Sequence, residues 1–340
     1  MRRIFFLLIC LIVLIGAGWF AFAAFIRAPI AGSPVVLAVS AGMTLPQIAE
    51  HLAAKKIIGS AWEYRAYAVV SRTARNFKPG SYNLRPNMND RQIARLLASG
   101  QTHQESELRL IEGWTIADEM QYLQEEKHVS PGAVATIAGG AKNGMAFDPA
   151  LRDEFSFLRD VPSGRSLEGY LFPETYRVWD DRLPDDLIRK QLQEFQNRTA
   201  GAVVTKKIAP LSTLDDVIIL ASIVEKEVRD PADRKIVAGI FLHRMRLGMA
   251  LQSDATLNFV LDEKRAQTSA EDLKNESKYN SYKYKGLPPS PICNPGASAI
   301  DAVLNPTASR YLYFLTKTDG KVLYAATFEE HKRNRAAAGY

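Results

Sequence analysis

Hydrophobic and polar positions follow three regimes along the chain. The first is unbroken: Ile4 to Ile26 holds 23 positions with no charged residue. A helix crosses a ~30 Å hydrocarbon core in about 20 residues, so the run predicts a membrane span. Arg2 and Arg3 precede it and only Arg27 follows closely, and the positive-inside bias then places the N-terminus in the cytoplasm and the remainder outside. Trp19 and Phe20 suit the far interface. A cleaved secretory signal is the competing reading, since Ala21-Phe22-Ala23 has the small-x-small form of a cleavage site. The apolar run exceeds the usual ~7–15 residues of a signal, which favours a retained anchor.

The second regime repeats a short apolar run, a turn and a capped amphipathic helix. Val35 to Val39 reads as a strand, followed by Thr44 and Gln47 as a capping box and a helix with Ile48 and Leu52 on one face. Gly80 to Leu84 and a helix after Asn89, carrying Ile93, Leu96 and Leu97, form the second unit; an aromatic-rich helix from Trp62 to Val70 links the two. Leu108 to Ile111 leads through Glu112-Gly113-Trp114-Thr115 into a helix bearing Ile116, Met120 and Leu123. One strand docked on one helix cannot bury its apolar face alone. The first two units therefore predict a small α+β domain, and the third opens another.

In the third regime, residues 124–165 read as loops with short helices. Helices are predicted over Leu187–Arg198 (opened by Pro184), from Thr213 through Glu225, and over Ile236–Met245 (closed near Gly248). Beyond them the pattern is strand- and loop-like, with a strand at Tyr311–Leu315. The succession is α+β rather than alternating βαβ.

At 340 residues the chain has room for roughly two domains. A net charge of +6 points weakly to an anionic partner, and export removes nucleic acid from the partner classes. Cys10 and Cys293 are too few for a disulfide framework or a four-thiolate zinc site. The five histidines are scattered at 51, 103, 128, 243 and 331, without metal-ligand spacing. Neither a phosphate-binding GxxxxGK[ST] loop nor a GxSxG elbow is present.

The sharpest local anomaly is Leu220-Ala-Ser-Ile-Val-Glu-Lys-Glu227, an apolar helical run ending in two carboxylates. Glu225 lies above Ala221 and Ser222, whose small side chains leave volume beside it. A carboxyl there has its charged form disfavoured and suits a general acid. Glu227 lies above Ile223 and Val224 and reads as a structural carboxylate. Spacing alone leaves open that both glutamates mark the polar end of a buried helix. Downstream, Gln252-Ser253-Asp254 sits at a strand or turn end. Tyr279-Asn280-Ser281-Tyr282 precedes a rigid Pro/Gly loop over 286–296. Flat aromatic faces and fixed amides are what a sugar site uses. Ser166 to Glu174 adds Glu168, Tyr170 and Glu174 around two breakers.

Taken in order, EGWT at 112–115, LEGYLFPETY at 167–176, ASIVEKE at 221–227, RLGMALQSDAT at 246–256, YNSY at 279–282, GLPPSPICNPG at 286–296 and YLYF at 311–314 resemble the YceG-like family of endolytic murein transglycosylases. The resemblance implies an anchor over residues 1–27, a LysM-like α+β subdomain over 28–104 and a mixed α+β catalytic domain over 105–340. It implies an inner-membrane protein whose catalytic part is periplasmic or extracytoplasmic and cuts within peptidoglycan glycan strands, without cofactor or metal, beside peptidoglycan synthases as partners. It makes Glu225 the catalytic residue, and Gln252, Asp254, Tyr279, Asn280 and Asn294 cleft residues. Two family features differ here: Val322 stands where a histidine usually precedes an aromatic, and Glu330-His331-Lys332 replaces a Glu-His-Asn ending. A glycoside hydrolase using Asp254 or Glu174 as second carboxylate, and a non-catalytic wall-binding scaffold, are the alternatives.

Overall fold

The computed structural model describes residues 35–84, 88–100, 105–140, 144–199, 208–261 and 269–339, with Gly16 and Gly18. The expected span over 4–26 otherwise lies outside the described residues, and among those described no helix is long and apolar enough to cross a membrane. Contacts divide the chain into two compact units, with the boundary between Glu105 and Ser106 and with Trp179–Asp181 grouped with the first.

The first unit runs β1 (Val35–Val39), α1 (Leu45–Ala54), α2 (Ala61–Val70), β2 (Gly80–Leu84), α3 (Asp90–Ser99). β1 and β2 pair antiparallel, from Val35 opposite Leu84 to Val39 opposite Gly80. Alternation turns Leu37, Tyr82 and Leu84 inward, where they meet Ile48 and Leu52 of α1, Tyr64 of α2, and Ile93 and Leu97 of α3. Both capping boxes form: Thr44 N donates to Gln47 Oε1 at 2.8 Å, and Asn89 N to Gln92 Oε1 at 2.9 Å. The outer face of α2 leaves Trp62 exposed.

The second unit contains β3 (Glu105–Arg109, less Glu105), α4 (Ile116–Lys127), α5 (Pro131–Ala138), α6 (Leu151–Glu154), β4 (Thr175–Trp179, less Trp179), α7 (Asp185–Thr199), α8 (Leu214–Glu227), α9 (Pro231–Arg246), α10 (Asp254–Leu261), α11 (Ala297–Leu304), β5 (Tyr313–Thr316), β6 (Val322–Ala325) and α12 (Phe328–Ala337). Among the described residues its strands form two-stranded sheets, β3 with β4 and β5 with β6. The centre is α8, buried on every face from Val217 to Val224 and packed against α9 and α11. A helix apolar all round can only be a core helix or a membrane span, and here neighbours of its own unit enclose it.

Several expectations shift. The strand expected at Leu108–Ile111 lies at Glu105–Arg109, so that Leu110 leaves the strand to donate its N–H to Glu174 O at 3.0 Å. The strand expected at Tyr311–Leu315 starts at Tyr313. Residues 252–254 are not a strand end: Asp254 opens α10, whose Thr256, Leu257 and Phe259 are buried. α11 and α12 lie where loops and strands were expected. α11 is a short helix buried through Ala299, Ile300, Ala302, Val303 and Leu304. α12 has no buried residue and is held at its start by the Thr327/Glu330 capping box, so apolar periodicity could not reveal it.

Candidate active site

α8 begins at a capping box, with Thr213 Oγ1 accepting from Asp216 N at 3.1 Å, and delivers Glu225 at its polar end. The chain then leaves the helix at Val228 and re-enters α9 at Asp230, whose carboxylate accepts from Ala232 N and Asp233 N at 2.9 and 3.1 Å. That tight connection brings Arg234, in the first turn of α9, back onto Glu225. Arg234 Nη2 lies 2.5 Å from Glu225 Oε1, and the two side chains are only 7% and 6% exposed. Arg234 Nε is tied to Val228 O at 3.1 Å. The other carboxylate oxygen of Glu225 accepts from Gly296 N at 3.1 Å.

The open volume expected beside Ala221 and Ser222 is filled. Ser222 is fully buried; its hydroxyl accepts from Ile292 N at 3.0 Å, and Cys293 Sγ donates to its carbonyl at 3.3 Å. Small side chains on α8 thus admit the 291–296 loop, which carries the Gly296 N–H to Glu225. The loop after β3 closes the other side: Gly113 N donates to Asn294 O at 2.9 Å and Asn294 N to Trp114 O at 2.8 Å. Gly113 has φ +80°, a left-handed backbone that favours glycine, and a Cβ there would sit in ordinary contact with Glu225 Cγ at 3.5 Å. Glu112, half exposed, places Oε2 3.9 Å from Arg234 Nη1.

Burial is the largest influence on Glu225 and pushes its carboxyl above the usual range, helped by Glu112 and opposed by Arg234, the Gly296 N–H and Lys226. Glu227 points elsewhere. Ser253 Oγ donates to its Oε1, and burial pushes it up to about 7.

Beneath the loops lies a buried acidic layer. Glu119 accepts from Gln191 Nε2 at 3.1 Å and from Asn294 Nδ2 at 3.1 Å. Glu168 accepts from Ile116 N with both oxygens at 3.2 Å. Burial pushes each of these carboxyls up to about 8. Among the described residues no cluster of three or more His, Cys, Asp or Glu side chains is arranged to hold a metal ion.

The YceG-like family profile matches residues 37–337. This chain belongs to the YceG-like family. A Bacillus subtilis protein named endolytic murein transglycosylase is 30% identical over 311 residues, 87% of this chain and 82% of its own. A protein of the same name from Streptococcus pneumoniae D39 is 32% identical over 280 residues, and the match spans half of that longer protein. The crystal structure of a putative yceG-like protein from Listeria monocytogenes superposes with a TM-score of 0.57 at 28% identity, covering 89% of this chain and all of that one.

Within this YceG-like unit the expected cleft residues separate into two kinds. Gln252 is exposed, with a left-handed φ of +52°, and its N–H is held by Ser281 O at 3.0 Å; such a backbone is rare for a residue with a side chain. Asp254 accepts from Tyr282 OH at 2.7 Å, and Tyr279 OH pairs with Ser290 Oγ at 2.5 Å. These contacts bring 252–254, 279–282 and the 286–296 loop together. Asn280 and Asn294 are instead interior. Asn280 accepts from Tyr282 N and Lys283 N and donates to Leu273 O and Asn275 O. Asn294 Oδ1 accepts from Gly169 N at 2.8 Å and Leu171 N at 3.2 Å. Both amides are occupied in building loops. Arg234 and Glu119 carry no sequence signal of their own: α9 shows no strongly amphipathic pattern, and Glu119 sits among other charged residues of α4.

Proposed function

We propose that this protein is an endolytic lytic transglycosylase that breaks the MurNAc–GlcNAc bond within peptidoglycan strands, with Glu225 as its single acid–base group. The observation that carries the reading is the setting of Glu225: an almost buried carboxyl, pushed toward its neutral form yet held in place by one cation and one backbone N–H. Protonated, Glu225 donates to the glycosidic oxygen as the bond breaks. As carboxylate it then takes the proton of the MurNAc 6-hydroxyl, whose oxygen closes onto C1 to give a 1,6-anhydro end. The nucleophile belongs to the substrate and is already close to the reacting carbon, so a second carboxylate, as in most glycosidases, is unnecessary. Gln252, Asp254 and Tyr279 would line the cleft, with Asn280 and Asn294 as the residues that position its loops. The β-α-α-β stretch from β1 to β2, ahead of α3, supports a LysM-like, wall-contacting role for the first unit, and the apolar run at 4–26 supports an anchor that leaves the catalytic unit outside the membrane.

The test is Glu225→Gln beside Glu227→Gln, each checked for cooperative unfolding and assayed for anhydro-ended glycans by mass. Glutamine keeps the size of the side chain but cannot move the proton, so folded Glu225→Gln should lose at least ~10⁴-fold, the upper end of general acid–base effects. Glu227→Gln should still cut. Near-normal cutting by Glu225→Gln overturns the assignment, and ends heavier by one water would make the enzyme a hydrolase.

A further inference from the structure

Arg234 serves two carboxylates at once. Its guanidinium is buried, pinned at Nε by Val228 O, and presents Nη2 to Glu225 at 2.5 Å and Nη1 to Glu112 at 3.9 Å. The first contact is a strong charge-assisted hydrogen bond and the second lies beyond hydrogen-bond reach, although a small rotation about the fixed Nε would close it. Glu112 is half exposed and lies beside Gly296. Its side chain fills the space over Gly296, where a Cβ would lie 2.0 Å from Glu112 Oε1, and the adjoining Gly113 N–H is bonded to Asn294 O.

This arrangement poses a chemical problem. Arg234 and the Gly296 N–H occupy both oxygens of Glu225 and favour its charged form, whereas a proton donor must be neutral when the glycosidic bond breaks. We propose that Glu112 is a positioning residue that acts through Arg234, drawing the guanidinium onto itself as a glycan strand arrives and so releasing Glu225 Oε1 to carry the proton. The inference rests on Glu225 being the acid. Release precedes closure: as Arg234 moves to Glu112, Glu225 Oε1 takes its proton from solvent, and the strand then excludes water, which strengthens the Glu112–Arg234 attraction now that Glu225 is neutral. The groups facing Glu225 are Arg234 from α9, Glu112 from the loop after β3, the Gly296 N–H and Cys293 thiol from the 291–296 loop, and Lys226 on α8 itself. Of these only Glu112 is a carboxylate placed to compete for Arg234.

The experiment is the pH dependence of kcat and KM for the full chain cutting polymeric peptidoglycan strands, in the parent and in Glu112→Gln, Glu112→Asp, Arg234→Gln and the double Glu112→Gln/Arg234→Gln. Without Glu112, Arg234 stays on Glu225, the proton is held less firmly, and the alkaline limb of kcat moves to lower pH. The rate on the alkaline side should fall about tenfold, as expected when a charge a few ångströms away is removed, with the acid-side rate and KM nearly unchanged. Glu112→Asp should keep the parent's limb. In the Arg234→Gln background the effect of Glu112→Gln should shrink by at least half, because the two act as one unit. A loss in Glu112→Gln that is uniform across pH, or a limb shift of undiminished size in the double variant, overturns the proposal. An active Glu225→Gln would instead overturn the reading beneath it, whereas an inactive Glu225→Gln with an unmoved Glu112→Gln limb sinks this inference alone. Should Arg234→Gln fail to unfold cooperatively, Arg234→Lys takes its place in the cycle.

Discussion

Replacing Glu119 by glutamine should make the larger unit more stable, by an amount that grows as pH rises from about 5 to 8. Glu119 is buried and its carboxyl is pushed from 4.5 up to about 8, so the folded state holds a proton that the unfolded chain releases. The stability this contributes is complete below about pH 4.5 and is lost as pH rises toward 8. Between about pH 5 and pH 8 one such group costs roughly 3 kcal/mol. Glutamine cannot ionise, and its geometry fits. Gln191 Nε2 and Asn294 Nδ2 already point at residue 119, while among the described residues Gln191 Oε1 is buried without a partner. Turning the Gln191 amide would let that oxygen receive the new N–H₂. Urea unfolding followed by tryptophan emission is suitable, because Trp114 packs on Tyr122 in the larger unit while Trp62 in the smaller one is already exposed. Glu119→Gln should match the parent near pH 5 and gain about 1 M or more in midpoint near pH 8, taking an m-value of ~3 kcal/mol/M. Glu168, shifted the same way, remains in both proteins, so the parent's slope with pH should be reduced rather than abolished. An unchanged slope, or a variant weaker at pH 8 than at pH 5 by as much as the parent, would refute the reasoning.

Asn294→Ala should lower stability by about 3–6 kcal/mol at neutral pH in the same urea assay, since it orphans the buried N–H groups of Gly169 and Leu171 and strips a donor from Glu119; a loss below about 1 kcal/mol would show that the amide is dispensable. Deleting residues 35–100 should weaken binding to isolated sacculi while leaving the chemical nature of the cut ends unchanged, which co-sedimentation and product mass read separately. Undiminished sedimentation of the truncated protein would remove the binding role of that unit.

How much of this was legible in the sequence depended on whether a feature is local. Capping boxes depend on residues three apart; the one at Thr44/Gln47 forms as read, and a second, unread one forms at Asn89/Gln92. The apolar run ending at Glu225 marked a central helix, and Glu227 found its structural partner in Ser253. What was misread depended on distant packing. Small side chains at 221 and 222 suggested a void, but Ile292 and Cys293 fill it. Asn280 and Asn294 looked like sugar-facing amides because composition does not say which way an amide points, and both turn inward to backbone. Arg234 lies nine residues beyond Glu225 across a helix break, a distance that no periodicity links.

The pairing of Gly113 and Trp114 with Asn294 has a consequence for how the protein is made. The cradle of Glu225 joins segments near residues 112, 169, 225, 234 and 296, so its contacts close very long loops of chain. Such contacts form late in folding, after the entropy of loop closure has been overcome. During synthesis, residue 225 emerges well before 294–296 can dock, and a chain cut short before that loop lacks the N–H that holds Glu225 and the staple that holds the loop after β3. An unfinished copy therefore has Glu225, the proposed acid, without its setting, which is complete only once residues 294–296 have docked.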